Sequence, residues 1–291
     1  MSEASLPVEL IALTLILALI GGLAPILSNI KGNADTLRRV TGIASGILLA
    51  SAMLVVIPEG FELATGDHDE HGDDEHVGEG DSEEEEAALE NLVIGAAVLA
   101  GFVLMLVLEG SGIGHAVHEE HHEHEKEHGH SHIHHGVSPF LLVLGLSLHS
   151  ASDGLAIGSA AAGASEAVTA AVALAVLIHK VPAAFSLGVF SMHEREERND
   201  SIRDVVLFSI ATPLMIIVSF YVLEGLDEHI IALAMLFSGG TFLYVAAVDT
   251  LPDIHNPETG REAMLNVLFG VILMIVILFG ADAAGLIEHG H

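Results

Sequence analysis

Cysteine is absent from all 291 residues, which excludes disulfides and thiolate metal sites together. Cationic side chains are almost as scarce, with nine Lys and Arg against forty Asp and Glu and a formal net charge of −31. That sign disfavours a nucleic-acid partner, and none is expected. An acidic surface of this kind suits a protein kept hydrated in high salt, where a Debye length of about 3 Å at 1 M screens its self-repulsion. A halophilic source is the expectation. The first apolar run lacks the basic leader and cleavage site of a signal peptide, having Glu3 and Glu9 ahead of it, so it reads as a retained helix.

Apolar residues, by contrast, make up 51% of the chain, and mean hydropathy is +0.59. They fall in runs of about 20 residues, the length that crosses a hydrocarbon layer about 30 Å thick. Eight spans are predicted, at 8–30, 41–62, 92–109, 137–162, 167–192, 205–224, 228–250 and 263–281. Lys180 alone among the cations lies inside one. Lys31, Arg38, Arg39, Lys126, Arg195, Arg198, Arg203 and Arg261 all fall in loops on one side, which the positive-inside rule makes the cytoplasm. Both termini are then outside, and the chain is one transmembrane domain over 1–291 in a cell membrane.

Two loops stand out. Residues 63–91 form an acidic external loop around "GDHDEHGDDEHVGEGDSEEEE", read either as a solvated salt-adapted segment or as a weak cation collector. Residues 115–136 form a cytoplasmic loop, "HAVHEEHHEHEKEHGHSHIHH", with ten of the chain's twenty histidines; neutral imidazole binds Zn, Cu, Ni, Co and Fe, so this tract can hold or sense metal. Its two HExxH strings, His118–His122 and His124–His128, arise by chance in a tract of little but His and Glu, and neither lies in a span. An intramembrane metalloprotease is therefore disfavoured, and no enzyme activity is expected.

Span 4 contains "LHSASDGLAIGSA", with His149 and Asp153 one helical turn apart, and span 5 contains "IHKVPAAFSLG", with His179 and Lys180. The two align without a gap, pairing His149 with His179 and Gly158 with Gly188. Because the spans run in opposite directions, this is the pattern of an inverted repeat. A fainter echo pairs "VVIPEG" of span 2 with "VDTLPD" of span 7. Ionisable groups at mid-membrane depth are costly and mark function. Two imidazoles and a carboxylate make a mixed N/O set for Zn, Mn, Fe, Co or Ni. The alternative is a buried strut, with Asp153 paired to Lys180 and the imidazoles bonded to neighbouring helices. Pro182 frees a backbone carbonyl beside the site or merely shapes the helix.

Eight spans, outward termini, the His-rich loop after span 3, and "HSASDG" with "HKVPAA" resemble the Zrt/Irt-like (ZIP) divalent metal transporters over nearly the whole chain. The resemblance implies an all-α polytopic membrane protein of eight helices in a 3+2+3 arrangement that carries zinc or a related metal into the cytoplasm from a centre between spans 4 and 5. The family writes these segments HNxPEG and HxxPE. By that match His149, Asp153 and His179 take ligand positions, with Ser150 as a weak ligand and Lys180 as an electrostatic neighbour. Asp153 replaces the commoner Glu, Ser150 an Asn, and Ala183 a second carboxylate, departures that resemble a branch writing HKxPAA and that put a second metal in doubt. Met53, as a further metal contact, and Glu59 and Asp249, as pathway residues, are equally compatible with packing or capping. Zn²⁺, or Mn²⁺, Fe²⁺, Co²⁺ or Cd²⁺, is expected as cargo with no cofactor required, lipid as surroundings, and a homodimer as an open assembly. A cation-diffusion exporter would want a second HxxxD and a folded tail. A metal-sensing receptor without transport is the other alternative.

Overall fold

The structure is a computed structural model that describes residues 5–28, 34–66, 80–111, 139–195 and 197–284. The His-rich loop over 115–136 lies outside them, as does the centre of the acidic segment. Helix takes up both ends of the latter, because the third helix runs to Thr65 and the fourth starts at Gly80.

All regular structure among the described residues is helical: α1 (Val8–Ser28), α2 (Ala34–Ser51), a π-helical turn (Ala52–Val56), α3 (Ile57–Thr65), α4 (Gly80–Gly110), α5 (Pro139–Gly163), α6 (Glu166–Glu194), α7 (Arg198–Leu223), α8 (Glu228–His255) and α9 (Gly260–Ala283). Helix is what a chain must adopt where no water can satisfy its backbone. α2, the π turn and α3 form one rod, so eight membrane-length rods result, as expected. Seven are apolar enough to cross on composition alone. The eighth is α5, 25 residues long, whose centre carries His149, Ser150, Ser152 and Asp153.

The π turn has a local cause. Pro58 has no N–H, and its ring would strike the carbonyl of Leu54 in a regular helix. The chain widens ahead of it, and the Ile57 N–H donates to the carbonyl of Ala52, five residues back. α7 begins seven residues before the predicted 205, because its polar first turns dock on the end of α6. Arg195 grips the buried Asp204 with Nε at 2.8 Å and a second nitrogen at 3.1 Å, and Ser191 donates to the same carboxylate. Hydropathy cannot see a helix turn held in this way.

Contacts sort the rods into two groups. α1, α5, α6 and α7 pack on one another, as do α2–α3, α4, α8 and α9, and the groups meet along α5–α8 and α2–α6. Exchanging α1 with α7, α2–α3 with α8, α4 with α9, and α5 with α6 carries α1–α6 onto α5–α7, α2–α9 onto α4–α8, and α2–α6 onto α5–α8. Each exchanged pair is an odd number of crossings apart, so the repeat is inverted, with three rods on either side of α5 and α6. Close backbone approach repeats with it. A Cβ at Gly240 would lie 1.9 Å from the Val98 carbonyl oxygen, and one at Gly46 would lie 2.1 Å from that of Val267. The ungapped register pairing Pro58 with Pro252 also pairs these two glycines. Gly158 abuts α7 and Gly188 abuts α1, again exchange mates.

Candidate metal centre

α6 is capped at its start by Ser165, whose hydroxyl accepts from the Val168 N–H, and runs unbroken past Pro182 to Glu194. That register brings His179 and Lys180 against the middle of α5. There His149 and Asp153 share a face because they are one turn apart. Burial is nearly complete for His149, Ser150, Asp153, His179 and Lys180.

Nδ1 of His179 lies 2.9 Å from the carbonyl oxygen of Ala175, which can only accept, so Nδ1 carries the hydrogen. Nε2 then faces Oδ1 of Asp153 at 3.2 Å. In the neutral ring this sets a lone pair against a carboxylate oxygen, an arrangement that calls for a cation. A histidine that donates its far N–H to a backbone carbonyl while presenting the other nitrogen is the usual preparation of a metal ligand. Nε2 of His149 lies 3.8 Å from the same Oδ1, and its Nδ1 has no hydrogen-bond partner. One ligand atom from each of His149, Asp153 and His179 falls within 4.8 Å of the others. Donors around a tetrahedral zinc stand about 3.4 Å apart, given bonds of about 2.1 Å, so the Asp153–His179 edge is already at coordination spacing.

Oδ2 of the same carboxylate faces the other way, 2.9 Å from Nζ of Lys180. The ammonium also donates to the hydroxyls of Ser150 and Thr212 and lies 4.7 Å above the Phe208 ring. Phe242 of α8 closes the imidazole side, its ring edge-on to His149 and His179 with centroids at 6.0 and 5.8 Å.

Of the residues predicted from sequence, His149, Asp153 and His179 converge. Ser150 and Lys180 join them, but on the far side of the carboxylate. Met53 is not brought to the cluster: it is 53% exposed on the π turn, while Ala52, Val55 and Val56 take the buried side. Glu59 is half-buried in α3. The side chain of Asp249 is outside the described residues. Sequence reasoning missed Thr212, Phe208 and Phe242. The first had a signal, since Ser209 and Thr212 fall on one face of an apolar span that must partner a buried lysine.

A family model described as "ZIP Zinc transporter" matches the chain over residues 4–138 and 109–278. Zinc transporter ZIP9 of Xenopus tropicalis is 31% identical over 291 residues, covering 90% of this chain and 93% of that protein. Zinc transporter ZIP9 of Micropogonias undulatus is 33% identical over 259 residues, covering 81% and 80%. Zinc transporter ZIP4 of Homo sapiens is 33% identical over 140 residues, 47% of this chain and 21% of that protein.

Proposed function

Since the chain belongs to the ZIP zinc transporter family, we propose that it carries a divalent transition metal, zinc foremost, into the cytoplasm through the buried site of His149, Asp153 and His179. The observation that carries this reading is the pair of acceptors, Nε2 of His179 and Oδ1 of Asp153, held 3.2 Å apart with a cation called for between them. The orphaned Nδ1 of His149 supports it from the other imidazole. No bond of the cargo is made or broken except to its ligands. The ion trades water for two nitrogens and one oxygen, then trades these for water on the other side. Three ligands rather than four, one of them a carboxylate with a single free oxygen, favour binding weak enough to be reversed. Eight crossings put every loop cation on one face, which the positive-inside rule makes the cytoplasm, and this supports both termini lying outside.

Purified protein in liposomes loaded with a metal-sensitive dye tests this reading across Zn²⁺, Mn²⁺, Fe²⁺, Co²⁺ and Cd²⁺. Zinc is expected to enter fastest. Flux no greater than in protein-free liposomes, for every ion, would leave sensing without transport as the function.

A further inference from the structure

Among the largest fully buried side chains of the described residues is a lysine, Lys180. An ammonium has three hydrogens and no acceptor. Here all three are spent on oxygens: Oδ2 of Asp153 at 2.9 Å and the hydroxyls of Ser150 and Thr212. The Phe208 ring lies 4.7 Å from the same nitrogen, presenting the negative face that attracts cations.

The walls of this pocket are fixed without help from the lysine. Thr212 donates its own hydrogen to the carbonyl of Ser150 at 2.6 Å, and the Ser150 hydroxyl lies 3.2 Å from the Phe208 carbonyl oxygen. α5 and α7 touch backbone to backbone, since a Cβ at Gly154 would lie 2.4 Å from the Thr212 carbonyl oxygen. Three oxygens carrying one formal charge, beside an aromatic face and with no imidazole, suit a small monovalent cation. The metal-facing side of the carboxylate, by contrast, has two ring nitrogens.

We propose that Ser150, Thr212, Asp153 Oδ2 and the Phe208 face form a monovalent-cation cradle whose tethered occupant is Lys180, and that its occupation weakens metal binding by leaving Asp153 only Oδ1 to offer. The inference rests on the reading of Asp153 as a metal ligand. An occupied cradle makes the carboxylate a one-oxygen ligand and sets a positive charge behind it. An empty cradle frees both oxygens and removes the repulsion. The ligand class is a primary ammonium, and Lys180 is a positioning residue that acts on the metal through Asp153.

Zinc affinity of the purified full-length protein, measured by competition with a fluorescent chelator, tests this. Lys180→Ala removes three methylenes and the ammonium, a gap the size of n-propylammonium. The variant is expected to bind zinc at least about tenfold more tightly, as removal of a like charge from a buried site demands. Added n-propylammonium should return it toward wild-type affinity along a saturable curve. Tetramethylammonium, which has no N–H, should not. Lys180→Met fills the gap without a charge, so it should bind tightly and ignore n-propylammonium. Wild-type affinity in both variants overturns the proposal, as does an equal response of both to n-propylammonium or an effect of tetramethylammonium. If Lys180→Ala does not fold, wild-type affinity in Lys180→Met alone overturns it. His149→Ala separates the two readings: zinc binding retained there sinks the metal site itself, whereas zinc binding lost there beside an amine-indifferent Lys180→Ala sinks only the cradle.

Discussion

Nζ of Lys180 lies 2.9 Å from Oδ2 of Asp153, and both side chains are sealed inside the helix bundle. A lysine at mid-membrane depth costs about 2.5–3.5 kcal/mol on insertion scales, and a carboxylate a comparable amount, so pairing offsets part of both penalties. The buried strut and the proposed metal site, alternatives in the sequence, share one carboxylate, with one oxygen facing each.

His149→Ala, Asp153→Ala and His179→Ala are each expected to cut zinc uptake by more than about tenfold, since removing even an outer partner of a metal ligand costs 10–100-fold. Uptake per correctly inserted protein is the measurement. Near wild-type flux in all three variants would remove the site from the pathway.

One equivalent of metal is expected per chain at this depth, because the Lys180 ammonium stands where a second ion would need a carboxylate. The double variant Lys180→Asp with Ala183→Glu supplies carboxylates in its place and should bind a second equivalent. Metal counting by mass spectrometry of the intact protein distinguishes the cases, and a wild type holding two ions in the site contradicts the expectation.

Gly240→Ala and Gly46→Ala should each lower the thermal midpoint in detergent, because the added methyl would overlap the Val98 or Val267 carbonyl oxygen and over-packing typically costs about 1–3 kcal/mol. Gly95→Ala, with no heavy atom within 4 Å of its Cβ, is the control and should melt like the wild type. A shift in one inverted-repeat glycine without the other would show that the seams are not equivalent.

Deleting 118–135 should leave zinc flux in place while altering its apparent affinity or its response to cytoplasmic metal. The tract is rich in imidazole, which holds transition metals, and lies apart in sequence from the ionisable residues of the apolar spans. Complete loss of flux at normal expression would make it part of the route.

The spans and the α5–α6 cluster were legible because ionisable residues in apolar runs are too costly to be accidental. The walls of the cluster were not. Thr and Ser in a membrane helix can satisfy themselves on their own backbone, as Ser209 does on Val205 at 2.7 Å, so a hydroxyl that instead serves another helix carries no mark in sequence. Thr212 meets Lys180 only because Gly154 lets α7 approach. The orientation of Met53 was not legible either. An apolar position in a span does not reveal whether it faces the interior of the bundle or its surface. Pro58 was visible, but the π turn ahead of it, which sets that orientation, was not.

The opposed charges of Asp153 and Lys180 have an electrical consequence. The two charges cancel as a pair, so a divalent ion bound beside them adds two positive charges that the pair does not offset. A voltage across the membrane then acts on the loaded carrier and ignores the empty one. On the proposed transport reading, two charges moved through the full field gain about 4.6 kcal/mol per 100 mV, so an inside-negative membrane is expected to favour inward movement of the metal, with an electrically silent return step. Zinc-dependent inward current, absent when metal is withdrawn and unaccompanied by any outward return current, is the signature; a charge-moving return step without metal would refute it.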